Sequence, residues 1–336
     1  MHRVRVGVAL IFNALSFERF LRAGASLRIR RFTLSASSYL RITALFGVLT
    51  GLLLVLGYIV GLYLGNPYLF TGLALVLAAV FNFFSYYYSD SIVIRMSRAK
   101  IIQESDNPTL FRVVREVSQK AGMPMPKVGI VESAQPNAFA TGRGPEKAVV
   151  CATSGILRTL TPDELKVVIA HEIGHVIHRD VLMSSIAATM AGAIAYIGNI
   201  AFYSMWFGGF GGNRNRQGNG SLILLLVAAI LIPLGATFVQ VGINRDDEYN
   251  ADEYGAKLTR NPGGLISALE KISSKVETKS FSGNQNNSPS PATASLWIVN
   301  PFKGHSLLEI FSTHPSLAHR VERLKKVARD LNIYVP

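Results

Sequence analysis

The segment His171-Glu172-Ile173-Gly174-His175 carries the residue types of a hydrolytic metal centre at helical spacing. Residues four apart share one face of a helix, so both imidazoles can point at one ion. Glu172, one position round, can reach a water held by that ion. The chemistry this allows is hydrolysis. Zinc lowers the pKa of a water from ~15.7 to about 7, and a carboxylate within reach takes the proton as a polarised carbonyl is attacked. With 7 His in 336 residues, a shuffled chain would hold the pattern about 0.006 times, so accident is a weak account of it.

A catalytic zinc keeps three protein ligands and one open position. The single cysteine, Cys151, excludes a multi-thiolate site and an intramolecular disulfide. The third ligand must therefore be His, Asp or Glu. Arg245-Asp246-Asp247-Glu248-Tyr249-Asn250-Ala251-Asp252-Glu253 holds five acids in nine residues. Glu248 and Asp252 are four apart on one helical face: one can bind metal while the other accepts the outer N–H of a ligand histidine. Asp246, Asp247 and Glu253 then read as solvated charges. Spacing alone does not choose securely among the five. His178 reads as a solvated side chain near a membrane surface, and His2, His305 and His319 have no metal spacing to one another.

The elements around the motif are also marked. Thr161-Pro162-Asp163-Glu164 is a capping box with proline at the first helical position, so the motif helix starts there and is expected to run to about Asp180. Asn107-Pro108 opens a helix with apolar Leu110, Phe111, Val114 and Val117, closed by Gly122. A strand is predicted at 127–131, and strands at 138–141 and 148–152 flank the turn Gly142-Arg143-Gly144-Pro145. Residues 281–295, rich in Ser, Asn, Pro and Gly, read as a mobile loop, and 316–331 as a basic amphipathic helix.

Charged residues are 16% of the chain and hydrophobic ones 49%, a balance outside that of ordinary soluble or disordered chains. Four stretches, 42–64, 68–88, 181–207 and 221–243, carry no Asp, Glu, Lys or Arg and are long enough to cross a ~30 Å hydrocarbon layer. Buried helices of a large soluble core are the competing reading. The spans pair as two hairpins, turning at Gly65-Asn66-Pro67 and within 208–220. Residues 1–41 hold eight Arg and one acid, Glu18, which places the N-terminus in the cytoplasm. Arg214 and Arg216 in the second turn count against this orientation. The net charge of +13 is then explained by a basic arm against anionic lipid, without nucleic acid. The expected layout is a basic arm at 1–41, a hairpin at 42–88, and one globular domain in two pieces, 89–180 and 244–336, interrupted by a second hairpin at 181–243. Val181 begins a span six residues after His175, so the metal is expected close to the cytoplasmic membrane face.

His-Glu-Ile-Gly-His followed, after a membrane hairpin, by Glu-x-x-Ala-Asp at Glu248 to Asp252 resembles the HtpX-type integral-membrane zinc endopeptidases, gluzincins related to the CAAX prenyl proteases. The resemblance runs from about Asn107 to Leu324 and leaves 1–41 uncovered. It implies zinc ligands His171, His175 and Glu248, one ion per subunit, with Glu172 as general base and Asp252 in support. Asn137-Ala138-Phe139-Ala140 is similar to the family's strand beside the zinc helix, where an extended substrate adds through main-chain hydrogen bonds. His314, in Thr313-His314-Pro315, and the following Arg320 resemble a late motif whose histidine steadies a developing oxyanion.

The expected fold class is mainly α: a polytopic helical membrane protein with a zincin-like α+β protease domain carrying a small β-sheet. The expected function is peptide-bond hydrolysis at the cytoplasmic membrane face. Its partners would be polypeptide substrates, damaged or misfolded membrane proteins among them, and the lipid bilayer. A CAAX-type processing enzyme is the alternative within enzymes, disfavoured by only four visible spans. A non-catalytic membrane chaperone is the alternative from another class, and a prenylated-peptide assay, metal content and casein turnover discriminate among the three.

Overall fold

Local capping chemistry sets most element boundaries in this computed structural model, which describes residues 36–208, 245–280, 296–298 and 315–335. Helices Ala36–Leu64 (α1) and Pro67–Tyr87 (α2) form a hairpin. Gly65 at φ 85 makes the turn, and the Asn66 side chain accepts the Leu69 N–H at 3.1 Å. Helix α1 starts six residues before the expected position 42, because a charge-free criterion stops at Arg41. That arginine lies inside the helix and pairs with Asp247 Oδ2 at 2.9 Å. Asp247, expected as a solvated charge, is thereby corrected: its side chain is only 18% exposed.

The inner faces of α1 and α2 pack with Asp180–Gly208 (α7), where Leu45, Leu49 and Phe81 meet Leu182, Ile186 and Met190. Asn82 Nδ2 donates to Thr50 Oγ1 at 3.0 Å across the hairpin. The outer faces stay open, with Val76 63% and Phe83 53% exposed, which argues against the soluble-core reading. Among the described residues two helices are long and apolar enough to cross a membrane, 40–62 at mean hydropathy 2.4 and 67–87 at 1.9, while the apolar segment Asp180–Tyr196 is shorter. The expected span 221–243, the arm at 1–35 and the loop at 281–295 lie outside the described residues.

Beyond the short helix Ser89–Met96 (α3), Lys100–Ile101 (β1), Lys127–Val131 (β2), Ala138–Thr141 (β3) and Val149–Thr153 (β4) form one mixed sheet in the order β1-β2-β4-β3. Strands β2 and β4 are parallel, with Lys127 opposite Val149, and the other pairs are antiparallel. Strand β3 therefore lies at an edge. Its register is fixed by the Thr153 N–H donating to the Asn137 carbonyl at 2.9 Å. Phe139 and Thr141 then bond to β4, and the backbone groups of Ala138 and Ala140 face outward.

Helices Pro108–Ala121 (α4), Ser154–Thr159 (α5), Pro162–His178 (α6), Arg245–Thr259 (α8), Pro262–Ser280 (α9) and Leu317–Asp330 (α10), with a 3-10 turn at Pro145–Lys147, complete the described elements. Asn107 caps α4 by accepting the Leu110 N–H at 2.9 Å, and Gly122 at φ 67 ends it. One core joins Val114 and Val117 of α4, Val150 and Ala152 of β4, Ile169 and Ile173 of α6, Leu265 and Leu269 of α9, and Leu324 of α10. The fold is mainly helical with a small mixed sheet, and α6 is sandwiched between that sheet and the helices that follow α7 in sequence.

Candidate metal centre

The capping box expected at Thr161 is formed. Thr161 Oγ1 accepts the Glu164 N–H at 3.3 Å, and Glu164 Oε2 accepts the Thr161 N–H at 2.8 Å. The other Glu164 oxygen takes Ser267 Oγ and Lys271 Nζ of α9, each at 2.6 Å. Burial alone would raise the Glu164 pKa, but these bonds hold it at about 2. The start of the motif helix is thus fixed both by its own cap and by a second helix.

Two turns further along α6, His171 Nε2 and His175 Nε2 stand 3.3 Å apart. Helix α8 brings Glu248, with Oε2 3.8 Å from His171 Nε2 and Oε1 3.6 Å from His175 Nε2. The three ligand atoms lie within 4.8 Å of one another. Ligand atoms about 2.05 Å from an ion at tetrahedral angles sit about 3.3 Å apart. The nitrogen pair already has that spacing, whereas the two short carboxylate contacts come from different oxygens, so Glu248 must turn and close to present one oxygen to both rings. The donor set, two imidazoles and one carboxylate, fits zinc. Cys151 takes no part: it is fully buried, and burial pushes its thiol up to about 12.

The approach of α8 to α6 depends on missing side chains. A Cβ on Gly255 would come 2.8 Å from the His171 backbone nitrogen, and one on Gly174 would come 3.2 Å from Tyr254 Cδ1. Glycine at both positions lets the two helices meet almost backbone to backbone, which is what carries Glu248 to the histidines.

Each histidine also faces a carboxylate on its far side. His171 Nδ1 lies 3.0 Å from Asp252 Oδ1, one turn after Glu248 on α8. Asp252 is held by a buried fork: Arg320 Nε donates to Oδ2 at 2.8 Å and Nη2 to Oδ1 at 2.6 Å. Burial would raise the Asp252 carboxyl, yet the Arg320 charge and hydrogen bonds keep it below its ordinary range. His175 Nδ1 lies 3.5 Å from Asp180 Oδ2, at the start of α7. Such contacts fix the tautomer that leaves Nε2 free for a metal. For His175 burial favours the neutral ring, but Asp180, Glu248 and Glu172 outweigh it and raise the ring to about 9. For His171 burial dominates and the pKa falls.

Glu172 is 5% exposed, and its Oε2 accepts the Ala140 N–H of β3 at 3.0 Å. Burial, with the nearby Glu248 adding to it, raises this carboxyl to about 8. A cavity of about 40 Å³, bounded by the three ligand residues, Glu172, Phe139 and Trp297, holds the oxygen-facing side of the cluster. That volume suits one or two waters.

Of the sequence-predicted residues, His171, Glu172, His175, Glu248, Asp252 and Arg320 converge here, and Ala138, Phe139 and Ala140 form the adjacent strand. Asn137 is 2% exposed, and its amide is engaged inside the protein: Nδ2 donates to the Leu296 carbonyl at 3.2 Å and Oδ1 accepts the Ile298 N–H at 3.0 Å. His314 lies outside the described residues. His178 is exposed, edge-on to Tyr254 at 5.6 Å. Sequence reasoning missed Asp180, whose signal was a carboxylate just past the end of the motif helix. It also missed the segment 296–298, which Asn137 and the Arg320 Nη1 bond to the Ile298 carbonyl, 2.8 Å, pin over the cavity. Its signal was an apolar triplet, Leu296-Trp297-Ile298, after a polar stretch.

Residues 104–328 match the model of peptidase family M48. "Protease HtpX homolog" of Thermococcus sibiricus is 46% identical over 296 residues, covering 88% of this chain and 98% of that protein. Its namesake in Pyrococcus furiosus is 45% identical over 295 residues, with the same coverage, and that in Aquifex aeolicus 41% over 319 residues, covering 94% and 98%. The crystal structure of S. mikatae Ste24p aligns with a TM-score of 0.43 at 18% identity, covering 86% of this chain and 65% of that one.

Proposed function

Because the chain belongs to peptidase family M48 and is a metalloprotease, we propose that it is an integral-membrane zinc endopeptidase cutting polypeptides at the cytoplasmic face of the membrane. The observation that carries this reading is the convergence of His171, His175 and Glu248, from helices more than seventy residues apart in sequence, to within 4.8 Å, beside a buried carboxylate that is none of the three.

His171, His175 and Glu248 would hold one zinc ion. When bound, zinc supplies Lewis acidity, which activates water and polarises a peptide carbonyl. Glu172 takes the proton of the attacking water and returns it to the leaving amine nitrogen. The Ala140 N–H fixes which oxygen of Glu172 is turned to β3 and which to the cavity. An extended substrate adds along the open edge of β3 through the outward backbone groups of Ala138 and the Ala140 carbonyl, the Ala140 N–H being held by Glu172. His314 donates to the developing oxyanion, a role worth ~3 kcal/mol.

The membrane layout follows the charge pattern: basic arm 1–41, spans within 42–88 and 181–243, and a protease domain divided between 89–180 and 244–336. Seven Arg before α1 keep the arm, and with it the protease domain, in the cytoplasm. A centre at the membrane surface suits damaged or misfolded membrane proteins as substrates.

The test is purified Glu172→Ala and Glu172→Gln protein assayed on an unfolded membrane protein and, in parallel, on a prenylated peptide. Both variants retain wild-type zinc while cleavage of the unfolded protein falls by ~10²–10⁴-fold. Undiminished cleavage by zinc-loaded Glu172→Ala rejects the mechanism, and turnover confined to the prenylated peptide rejects the substrate class.

A further inference from the structure

Two arginines that have no counter-ion among the described residues stand where the end of α2 meets the junction of α6 and α7. Arg143 lies in the loop between β3 and β4, and its Cζ sits 5.3 Å from the centre of the Tyr87 ring at the last residue of α2. Arg179 caps the C-terminus of α6 in the left-handed region, φ 66, immediately before α7. Its Nη1 donates to the Arg143 carbonyl at 3.3 Å. It also fills a slot against Gly144, whose φ of 138 suits glycine and where a Cβ would come 2.9 Å from the same nitrogen. Both arginines are half-buried, and both Nε atoms are shielded from solvent with no hydrogen-bond partner. Among the described residues neither guanidinium forms an ion pair. The adjacent carboxylate, Asp180, is turned to His175 instead.

Partial burial of a guanidinium that forms no ion pair among the described residues carries a desolvation cost. The fold nevertheless fixes both, one over an aromatic face and one in a glycine slot. We infer that Arg143 and Arg179 together bind the phosphate of an acidic phospholipid in the cytoplasmic leaflet. The planar guanidinium fork matches phosphate oxygens. The place selects a lipid over a free anion: Tyr87 ends an apolar helix of mean hydropathy 1.9, and Tyr87 and Tyr88 are the residue type that sits at headgroup depth. The leaflet's negative surface potential favours the same pairing. A headgroup here grips both the loop that follows the substrate-facing strand and the end of the helix that carries His171 and His175. The lipid therefore braces the metal helix against the bilayer.

This inference rests on the membrane placement proposed above, and the test separates the two. Full-length protein is reconstituted in phosphatidylcholine nanodiscs doped with phosphatidylglycerol, and the phosphatidylglycerol retained per chain is measured by native mass spectrometry. Arg143→Gln with Arg179→Asn removes both guanidiniums, and asparagine tolerates the left-handed conformation. Wild-type zinc content shows that the variant folds. Retention falls at least about tenfold in this variant, a difference of ~1.4 kcal/mol. It is unchanged in Arg112→Gln with Lys120→Gln, which removes two exposed cations from α4. Equal retention by the arginine variant and wild type, or an equal loss in the α4 variant, overturns the site. Displacement of the lipid by inorganic phosphate alone overturns the lipid assignment in favour of a soluble anion. A variant that keeps its lipid but cleaves peptides with acidic residues more slowly than wild type overturns it in favour of a substrate contact. Failure of the wild-type chain to enter nanodiscs at all would instead count against the membrane placement.

Discussion

Replacing Gly255 by alanine adds one methyl group at the tightest point between α8 and α6. Its Cβ would lie 2.8 Å from the His171 backbone nitrogen, 3.1 Å from His171 Cα and 3.3 Å from the Ala170 carbonyl carbon. All three are backbone atoms of the metal helix and cannot rotate away. Ordinary contact begins near ~3.5 Å, so α8 must withdraw by roughly 0.7 Å. Overpacking of this kind costs ~1–3 kcal/mol, and the higher helix propensity of alanine returns ~1 kcal/mol. Net destabilisation is therefore modest, about 0–2 kcal/mol, and the melting temperature falls by only a few degrees. The site suffers more. Glu248 is carried by the same helix, and constellations of this type tolerate displacements of about 0.5 Å, so kcat/KM falls by ~10–100-fold and zinc is lost at lower chelator concentration. Gly263→Ala is the matched control, since its Cβ would meet Val335 at an ordinary 3.5 Å. Zinc competition against a chromogenic chelator and cleavage of an unfolded membrane protein read the two effects. Wild-type zinc affinity and activity in Gly255→Ala, or equal losses in Gly263→Ala, would refute the argument that backbone contact at Gly255 places Glu248.

Three further outcomes follow from the carboxylates and arginine behind the ligands. Asp180→Asn removes the partner 3.5 Å from His175 Nδ1, and zinc affinity measured by competition falls ~10–100-fold. Arg320→Leu strips Asp252 of its buried fork and leaves an unpaired charge; it costs ~3–5 kcal/mol in denaturant unfolding, whereas removing Arg320 and the charge together in Arg320→Leu with Asp252→Asn costs less. For pH, His175 in the bare ligand set is raised to about 9 from an ordinary value of 6.5. A proton must leave before metal binds, so zinc affinity rises about tenfold per pH unit up to about 9 and then levels. For the metal-free protein the sign is opposite: a raised histidine stabilises the fold below pH 6.5, and that contribution disappears as pH climbs through about 9.

The local part of this architecture was legible in the sequence. The Thr161 capping box, the Asn107 cap, the Gly122 stop and the strand at Lys127–Val131 are each set by a few adjacent residues, and the structure places them where the sequence did. The spacing of His171, His175, Glu248 and Asp252 was legible because both pairs use the four-residue helical repeat. What escaped depends on contacts between distant segments, which leave no local period. Arg41 meets Asp247 across 206 positions, and Asn137 meets Leu296 across 159. The closeness of α6 and α8 at Gly255 shows only when the two backbones are superposed in space. Asp180 escaped for another reason. The helix expected to run to about that residue breaks one position earlier, at the left-handed Arg179, and the break turns Asp180 back toward His175. The start of α1 escaped because a charge-free window cannot include Arg41, although its neutralisation by Asp247 lets the helix continue through it.

The most direct measurement of the central claim is metal content paired with cleavage through one cycle of chelation and zinc return. The purified wild-type chain should carry one zinc, lose zinc and activity together on chelation, and recover both when stoichiometric zinc is restored. Glu172→Gln should bind and release the same ion while cleaving ~10²–10⁴-fold more slowly, and Glu248→Gln should bind it far more weakly. Full proteolysis by wild-type protein stripped of metal, or stoichiometric tight zinc in Glu248→Gln, would contradict a hydrolytic centre built on His171, His175 and Glu248.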